Sequence, residues 1–377
     1  MWTPDEAIRP GPGRSGPGGP GPGGPGGPGG PGGGGRDDRG VYRGRPRPRW
    51  GRIALVVCVA LVLVGGIAFA GGAWYLHGLE SGIARQDPFA QITGTRPAKP
   101  VSGTLNILLL GTDSRDPDGK AAEGRSDTMI LLHVPASHDK AYLISLPRDL
   151  RVHIPKSPSN PEAGGYSTKL NAAYSLGGMA LAVLTVEEYT DVRIDHVMLI
   201  DFGGFQQVTD AVGGVDMDIE QDITSIHTPF RHFSKGRNHL NGAEALDYCR
   251  QRYQFPAGDF ARMHHQQQFL KALLDKAASG GTLSSPKSVN DFLQSITKAM
   301  TVDKDFSLTD TALQFRNIRS SNLTFMVSPN LGSDEIDGES FVISDKARAS
   351  SLYTAVANDT VADWVTHNPL SPAGQND

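Results

Sequence analysis

Between Asn106 and Asp149 the chain alternates apolar runs with short polar clusters: NILLLGTDSR, then GRSDTMILLHV, then AYLISLPRDL. Each apolar run is four to eight residues long, rich in Leu, Ile and Val, and bounded by turn residues, the pattern of buried β-strands. As an up-down-up antiparallel meander, the first run ends, the second begins and the third ends at one edge of the sheet. The polar residues gather at those positions. Asp113 and Arg115 follow the first run, Arg125 and Asp127 precede the second, and Arg148 and Asp149 follow the third. One such pair at a strand end does little, because exposed ion pairs are worth about 0–1 kcal/mol. Six at one edge are different: like charges so close repel unless a bound ion or ligand completes the set. The pattern therefore predicts a site for a divalent metal and a phosphorylated anion.

Downstream, strand and helix patterns alternate. His196 to Ile200 reads as a short strand, Phe202 to Val212 as a helix, and Gly213-Gly214 as a turn into the alternating strand VDMDIE. Thr324 to Ser328 reads as a late strand and Ser344 to Ala357 as a late helix. This makes residues 104–365 one α/β unit, large enough for a sizeable core. A second polar cluster spans Asn241 to Gln268. Asn241 with Glu244 three residues on predicts a capping box for a helix through Tyr248. In the following CRQRY, Arg250 and Arg252 point to one side if the segment is extended, an arrangement that suits forked guanidiniums on phosphate oxygens. Asp259 is placed to cap a helix to about Lys276, with Arg262, His265 and Gln266 on one face. Phe260, Met263 and Leu270 supply its apolar face.

The N-terminal pattern adds location. Residues 10–35 are almost entirely Gly and Pro and cannot bury a core, so 1–52 reads as a disordered tail. It closes on Arg43, Arg45, Arg47, Arg49 and Arg52. Ile53 to Leu76 is then an uncharged apolar run of 24 residues, enough to cross the ~30 Å hydrocarbon core as a helix. With the basic flank before it, the N-terminus stays cytoplasmic and the rest faces outward, a single-pass signal anchor in the cell membrane. A cleaved signal peptide fits less well, because the run is long and begins after fifty residues. Residues 77–103 read as a stalk and 366–377 as a C-terminal tail. Of the two cysteines, Cys58 falls in the span and Cys249 in the outer domain, so no disulfide framework is expected. Cys249 reads as a buried apolar residue. The formal net charge of −4 decides little; the location outside the membrane and the absence of any long basic face on the outer domain argue against nucleic acid as a partner.

GTDSR, RSDTMILL, ISLPRDL, KLNAAYSLGG, DHVMLIDFGGF, DAVGGVDM, HLNGAEALDYCRQR and GDFARMHHQQQF, in that order across residues 104–277, resemble the LytR-CpsA-Psr family. The resemblance implies a phosphotransferase that moves a glycopolymer from a polyprenyl diphosphate onto a muramic acid hydroxyl of peptidoglycan, leaving a phosphodiester. It implies Mg²⁺, with Mn²⁺ as a substitute, near Asp113 and Asp127, and diphosphate-binding arginines at Arg125, Arg148, Arg250, Arg252 and Arg262. Arg115, Asp149, Asp259 and Gln266 also fall on motif positions; Arg115 and Gln266 join the diphosphate set and Asp149 the catalytic one. It further implies an apolar tunnel for the polyprenyl chain between sheet and helices. His265 departs from the arginine that many members carry, which predicts a pH-sensitive donor contact. The fold expected is a central mixed, largely antiparallel sheet flanked by helices. Asp127 and Asp149 are both candidates to accept the proton of the acceptor hydroxyl. A polyprenyl-diphosphate hydrolase and a non-catalytic lipid- or glycan-binding module are the alternative readings.

Overall fold

The computed structural model describes residues 78–112, 126–278 and 285–369. The strands are β1 (Ala84–Gln86), β2 (Leu105–Thr112), β3 (Ser126–Val134), β4 (Ala141–Ser145), β5 (Arg151–Ile154), β6 (Tyr166–Lys169), β7 (His196–Asp201), β8 (Val215–Ile219), β9 (Ile223–Thr224), β10 (His232–Phe233), β11 (Gly236–Leu240), β12 (Met300–Asp303), β13 (Leu323–Val327), β14 (Asn330–Ile336) and β15 (Glu339–Ser344). The helices are α1 (Pro88–Gln91), α2 (Ala172–Thr190), α3 (Phe202–Ala211), α4 (Gly242–Cys249), α5 (Asp259–Ala278), α6 (Pro286–Ala299), α7 (Leu308–Phe315), α8 (Lys346–Ala357) and α9 (Val361–His367).

A seven-stranded sheet, ordered β1-β12-β7-β2-β3-β4-β13, forms the centre. Its β2-β3-β4 core is the antiparallel meander the apolar runs predict, with Leu108 opposite Leu131 and Leu131 opposite Ile144. These strands are buried almost throughout, because apolar layers cover both faces of the sheet. Leu108, Leu110, Met129, Leu131 and Ile144 pack with α2 and α8. Ile107, Ile130, Leu132 and Leu143 face the other way, with Leu270 of α5 and Phe315 of α7 against them.

The sheet is mixed, as expected, but its centre is not largely antiparallel. β1 with β12, β2 with β7 and β4 with β13 run parallel, against three antiparallel neighbours. Parallel neighbours need long crossovers, and here strands distant in sequence insert beside the meander. The four two-stranded ribbons outside it are antiparallel.

The downstream elements lie where their patterns put them. β7, α3, β13 and α8 match the expected ranges within two residues. Gly213 and Gly214 both take positive φ, 80° and 82°, ahead of β8, whose burial alternates along its length. α4 starts in the expected capping box, Asn241 Oδ1 accepting from the Glu244 amide and Glu244 from the Asn241 amide.

Residues 77–103, read as a stalk, are built into the domain from Gly78 on. Leu79 and Ile83 are buried, β1 pairs with β12, and Ile83 joins Met300, Val302 and Phe306 in a small core. Arg96 forks onto the buried Glu187 of α2, with Nε to Oε2 at 2.9 Å and Nη2 to Oε1 at 2.6 Å. A three-residue strand carries no periodicity, which is why the pattern along the sequence does not reveal it. The span at Ile53–Leu76, the tail at 1–52 and residues 370–377 lie outside the described residues. Among the described residues no helix is long and apolar enough to cross a membrane.

Candidate functional site

β2, β7 and β3 meet at one sheet edge: Thr112 ends β2 opposite Asp201 of β7 on one side and Ser126 of β3 on the other. β4 returns to the same edge, and the chain turns there through Pro147, Arg148 and Asp149. The Leu150 amide donates to Pro147 O at 3.0 Å, closing the turn. The Asn171 amide donates to Arg148 O at 3.0 Å and the Val342 amide to Asp149 O at 2.8 Å, so the entry to α2 and β15 fix the turn from outside.

Arg148 is the centre of the site. Its Nη1 donates to Asp127 Oδ1 at 2.7 Å and its Nε to Asp259 Oδ2 at 2.9 Å, while Nε lies 3.5 Å from Asp149 Oδ2. Burial disfavours its charge, but Asp259, Asp127 and Asp149 outweigh that and hold the guanidinium protonated more firmly than usual. Asp259 is a second hub. Besides Arg148 it accepts from Arg252 Nη1 at 3.1 Å and Arg262 Nη2 at 3.1 Å. Burial alone would raise the Asp259 pKa; Arg262, Arg148 and Arg252 together bring it below the usual value. Asp259 is the first residue of α5, and the expected helix is present, but the carboxylate is spent on arginines. That corrects the reading of Asp259 as a cap: three guanidiniums reach it.

Arg262, one turn into α5, is 6% exposed and donates from Nη2 to Asp127 O at 3.2 Å as well. Burial draws its pKa below that of a free arginine. Asp149 is raised, by burial first and by Asp259, against Arg148 and Lys169. Lys169, at the end of β6, lies 3.9 Å from Asp149 Oδ1 and 3.0 Å from Glu339 Oε1.

Arg250 and Arg252 do not lie on an extended segment. Arg250 closes α4 with φ −97° and ψ −11°, so the side-by-side geometry argued from period two does not hold. Arg250 instead stacks on Phe202, 4.6 Å from guanidinium carbon to ring centroid, at the end of β7 on the same sheet edge. It makes no ion pair with any described residue. Arg252 spans Asp259 and the Tyr253 hydroxyl and lies 4.3 Å over the Tyr253 ring.

His265 is the largest departure from expectation. It is fully buried, its ring 4.5 Å from Tyr248 and 4.6 Å from Phe255. Burial, with the nearby His264 adding to it, holds its pKa at about 3, against a smaller opposing contribution from the Gln251 backbone. It is neutral at physiological pH and packs as an aromatic, so it contributes no pH-sensitive anion contact. Gln266 is half-buried and joins none of the ion pairs. Its neighbour Gln267, which sequence reasoning passed over, donates to Ser145 Oγ at 3.0 Å and ties α5 to the end of β4. Cys249 is buried and its thiol pKa is raised by burial, as an inert core residue requires. Asp113, Arg115 and Arg125 lie outside the described residues. Among the described residues no three His, Cys, Asp or Glu side chains converge as a complete metal-ligand set. Lys169 was within reach of the sequence, standing in KLNAAYSLGG just ahead of α2; Phe202 had no signal beyond its place after a strand.

The arrangement brings Asp127, Arg148, Asp149, Arg252, Asp259 and Arg262 together from four chain segments. Three guanidiniums face three carboxylates at a half-exposed edge, and Arg250 stacks on Phe202 at the same edge. Such a set has the chemistry to accept an anion in exchange for the carboxylates on the guanidinium forks.

The LytR_cpsA_psr family model matches residues 78–358. The polyisoprenyl-teichoic acid–peptidoglycan teichoic acid transferase TagU of Bacillus cereus is 34% identical over 242 residues, 62% of this chain and 74% of that protein. The corresponding transferase TagV of Bacillus subtilis is 38% identical over 184 residues, 48% of this chain and 45% of that one. Among solved structures, a Streptococcus agalactiae protein superposes with TM-score 0.61 at 26% identity, covering 69% of this chain and 88% of that one. The crystal structure of B. subtilis TagV superposes with TM-score 0.54 at 27% identity, covering 72% of this chain and 100% of that one. The match spans both the sheet that carries the arginine–carboxylate cluster and the helices that complete it, and the chain belongs to the LytR-CpsA-Psr family.

Proposed function

We propose that this protein transfers a glycopolymer from a polyprenyl diphosphate onto a peptidoglycan hydroxyl as a phosphodiester, at the outer face of the cell membrane. The observation that carries the proposal is the convergence of Arg148, Arg252 and Arg262 on Asp259, with Arg250 stacked on Phe202 at the same sheet edge. The TagU and TagV relatives, named as transferases of this kind, support the substrate class.

Phosphoryl transfer needs positioning and charge neutralisation more than covalent help from the protein. The four arginines bind the diphosphate oxygens and stabilise the charge that develops on the departing polyprenyl phosphate. The acceptor oxygen forms a bond to the sugar-proximal phosphorus as the phosphoanhydride bond to the polyprenyl phosphate breaks. The hydroxyl proton passes to a carboxylate. Asp149 suits that task better than Asp127, because Asp127 Oδ1 is committed to Arg148 at 2.7 Å while, among the described residues, the nearest cationic nitrogen to Asp149 is 3.5 Å away.

Mg²⁺ takes one or two carboxylates together with phosphate oxygens and waters. The all-oxygen character of the donors at this edge fits it, with Asp127 and Asp113 as the residues that would hold the ion. Bound there, it would neutralise charge on the diphosphate.

The test uses the full chain in detergent, a synthetic polyprenyl-diphosphate-linked saccharide and a peptidoglycan oligomer, with Mg²⁺ or with EDTA, and mass spectrometry of the products. A phosphosugar adduct on the glycan that needs the metal is the expected result. Free phosphosugar formed whether or not the acceptor is present would replace the proposal with a hydrolase. Donor bound and left intact would replace it with a binding module.

A further inference from the structure

Gln251 stands between Arg250 and Arg252 and is fully buried, although both neighbours reach the half-exposed site. Its carboxamide is saturated. Nε2 lies 2.9 Å from Ser225 Oγ, 2.8 Å from Asp247 O and 2.8 Å from Asp247 Oδ1. Oε1 accepts from Gln254 Nε2 at 2.7 Å and from the Ile226 amide at 3.4 Å. Ser225 Oγ donates to the same Asp247 oxygen at 2.5 Å, and Arg231 Nη1 donates to the other at 3.2 Å. Ser225 and Asp247 are buried as well. Apart from Gln254 to Gln251, these polar contacts run between the loop Ile223–Phe233, α4 and the arginine segment. Loop residues Ile226 and Phe230, and Tyr253 beside Arg252, are exposed, Phe230 at 61% and Tyr253 at 70%. The carboxamide of Gln251, the Ser225 hydroxyl and the Asp247 carboxylate are all satisfied, which is what lets a buried network rigidify its members; at its margin the buried Gln254 Oε1 has no partner.

We propose that Gln251 is a positioning residue that locks the loop Ile223–Phe233 to the Arg250–Arg252 pair, so that a diphosphate held by the arginines also orders the loop. This rests on the transferase reading and deepens it: the polar anchor of the donor and the loop Ile223–Phe233 form one unit with Gln251 as the pin. A glutamate at 251 is nearly isosteric but has no donor, and it would face Asp247 Oδ1 where the amide nitrogen now lies. Asp247→Asn in the same chain returns a donor to that contact.

The experiment is hydrogen exchange by mass spectrometry on the full chain in detergent, with and without inorganic pyrophosphate. Wild type, Gln251→Glu and Asp247→Asn/Gln251→Glu are compared, with thermal melts to establish that each is folded. In wild type, pyrophosphate is expected to slow exchange at least fivefold both in the segment Cys249–Arg262 and in the loop 223–233. In Gln251→Glu the slowing persists in 249–262 and vanishes in the loop, and the double variant restores it to within twofold of wild type. Equal loop responses in wild type and a folded Gln251→Glu overturn the proposal, as does a folded double variant whose loop stays uncoupled. No response in the wild-type arginine segment overturns the anion site itself, and the proposal with it. If Gln251→Glu does not fold, Gln251→Ala is read in its place against the same two outcomes.

Discussion

His265→Phe separates two effects of pH that a histidine on the site helix would otherwise confuse. The ring is buried between Tyr248 and Phe255, with a folded-state pKa of about 3 against 6.5 for a free histidine. The unfolded chain therefore takes up a proton that the folded chain refuses. Because the folded value is the depressed one, the stabilisation is complete above the unfolded pKa and is lost as pH falls from 6.5 toward 3. At about 1.4 kcal/mol per pH unit, moving from pH 7.5 to 5 crosses some 1.5 units of that window and costs about 2 kcal/mol. For a domain of this size that is about 4 °C in Tm. A phenyl ring fills the same aromatic slot without titrating. The assay is thermal melting of both proteins across pH 5 to 7.5, read as the difference between them, which cancels every other titrating group. Wild type should lose about 4 °C more than His265→Phe, and donor affinity should show no inflection attributable to residue 265. Parallel Tm curves would refute the buried, neutral histidine.

Arg148→Ala removes the guanidinium that joins Asp127, Asp149 and Asp259; transfer should fall at least a hundredfold while circular dichroism shows an intact fold. Asp149→Asn should lower kcat by roughly 10²–10⁴ and leave the KM for donor within a few-fold; steady-state kinetics decide whether the proton acceptor is Asp149. Arg96→Ala strips the partner from a Glu187 that is 2% exposed, so denaturant titration should show a loss of about 3 kcal/mol, far from any effect on chemistry.

The meander was legible because NILLL, MILLHV and AYLIS are apolar on both faces, which leaves a strand pattern little ambiguity. The capping box at Asn241 and the double glycine before β8 were legible for the same local reason: their chemistry lies within four residues. What the pattern could not give is set by distant contacts. Nothing near Arg250 says that Phe202 waits for it, or that the residue ends a helix instead of lying in a strand. Asp259 has the look of a cap, and only the approach of three arginines from separate segments makes it a hub. His265 and Arg262 share the polar side of a helical wheel, yet both are buried, since α5 lies over Tyr248 and Phe255 on one side and Asp127 on the other. Ala84–Gln86 is too short to carry a signal at all.

That short β1 strand has a practical consequence for handling the protein. Lying at the margin of the central sheet, it covers the backbone donors and acceptors of β12, whose Met300 and Val302 are buried in the same small core. A chain cut back to Val101 would bare a hydrophobic sheet margin, a ready template for pairing with another molecule, and would leave the buried Glu187 without its Arg96 cation. Shortened forms that begin ahead of Gly78 keep the margin closed; those that begin after Lys99 are expected to self-associate.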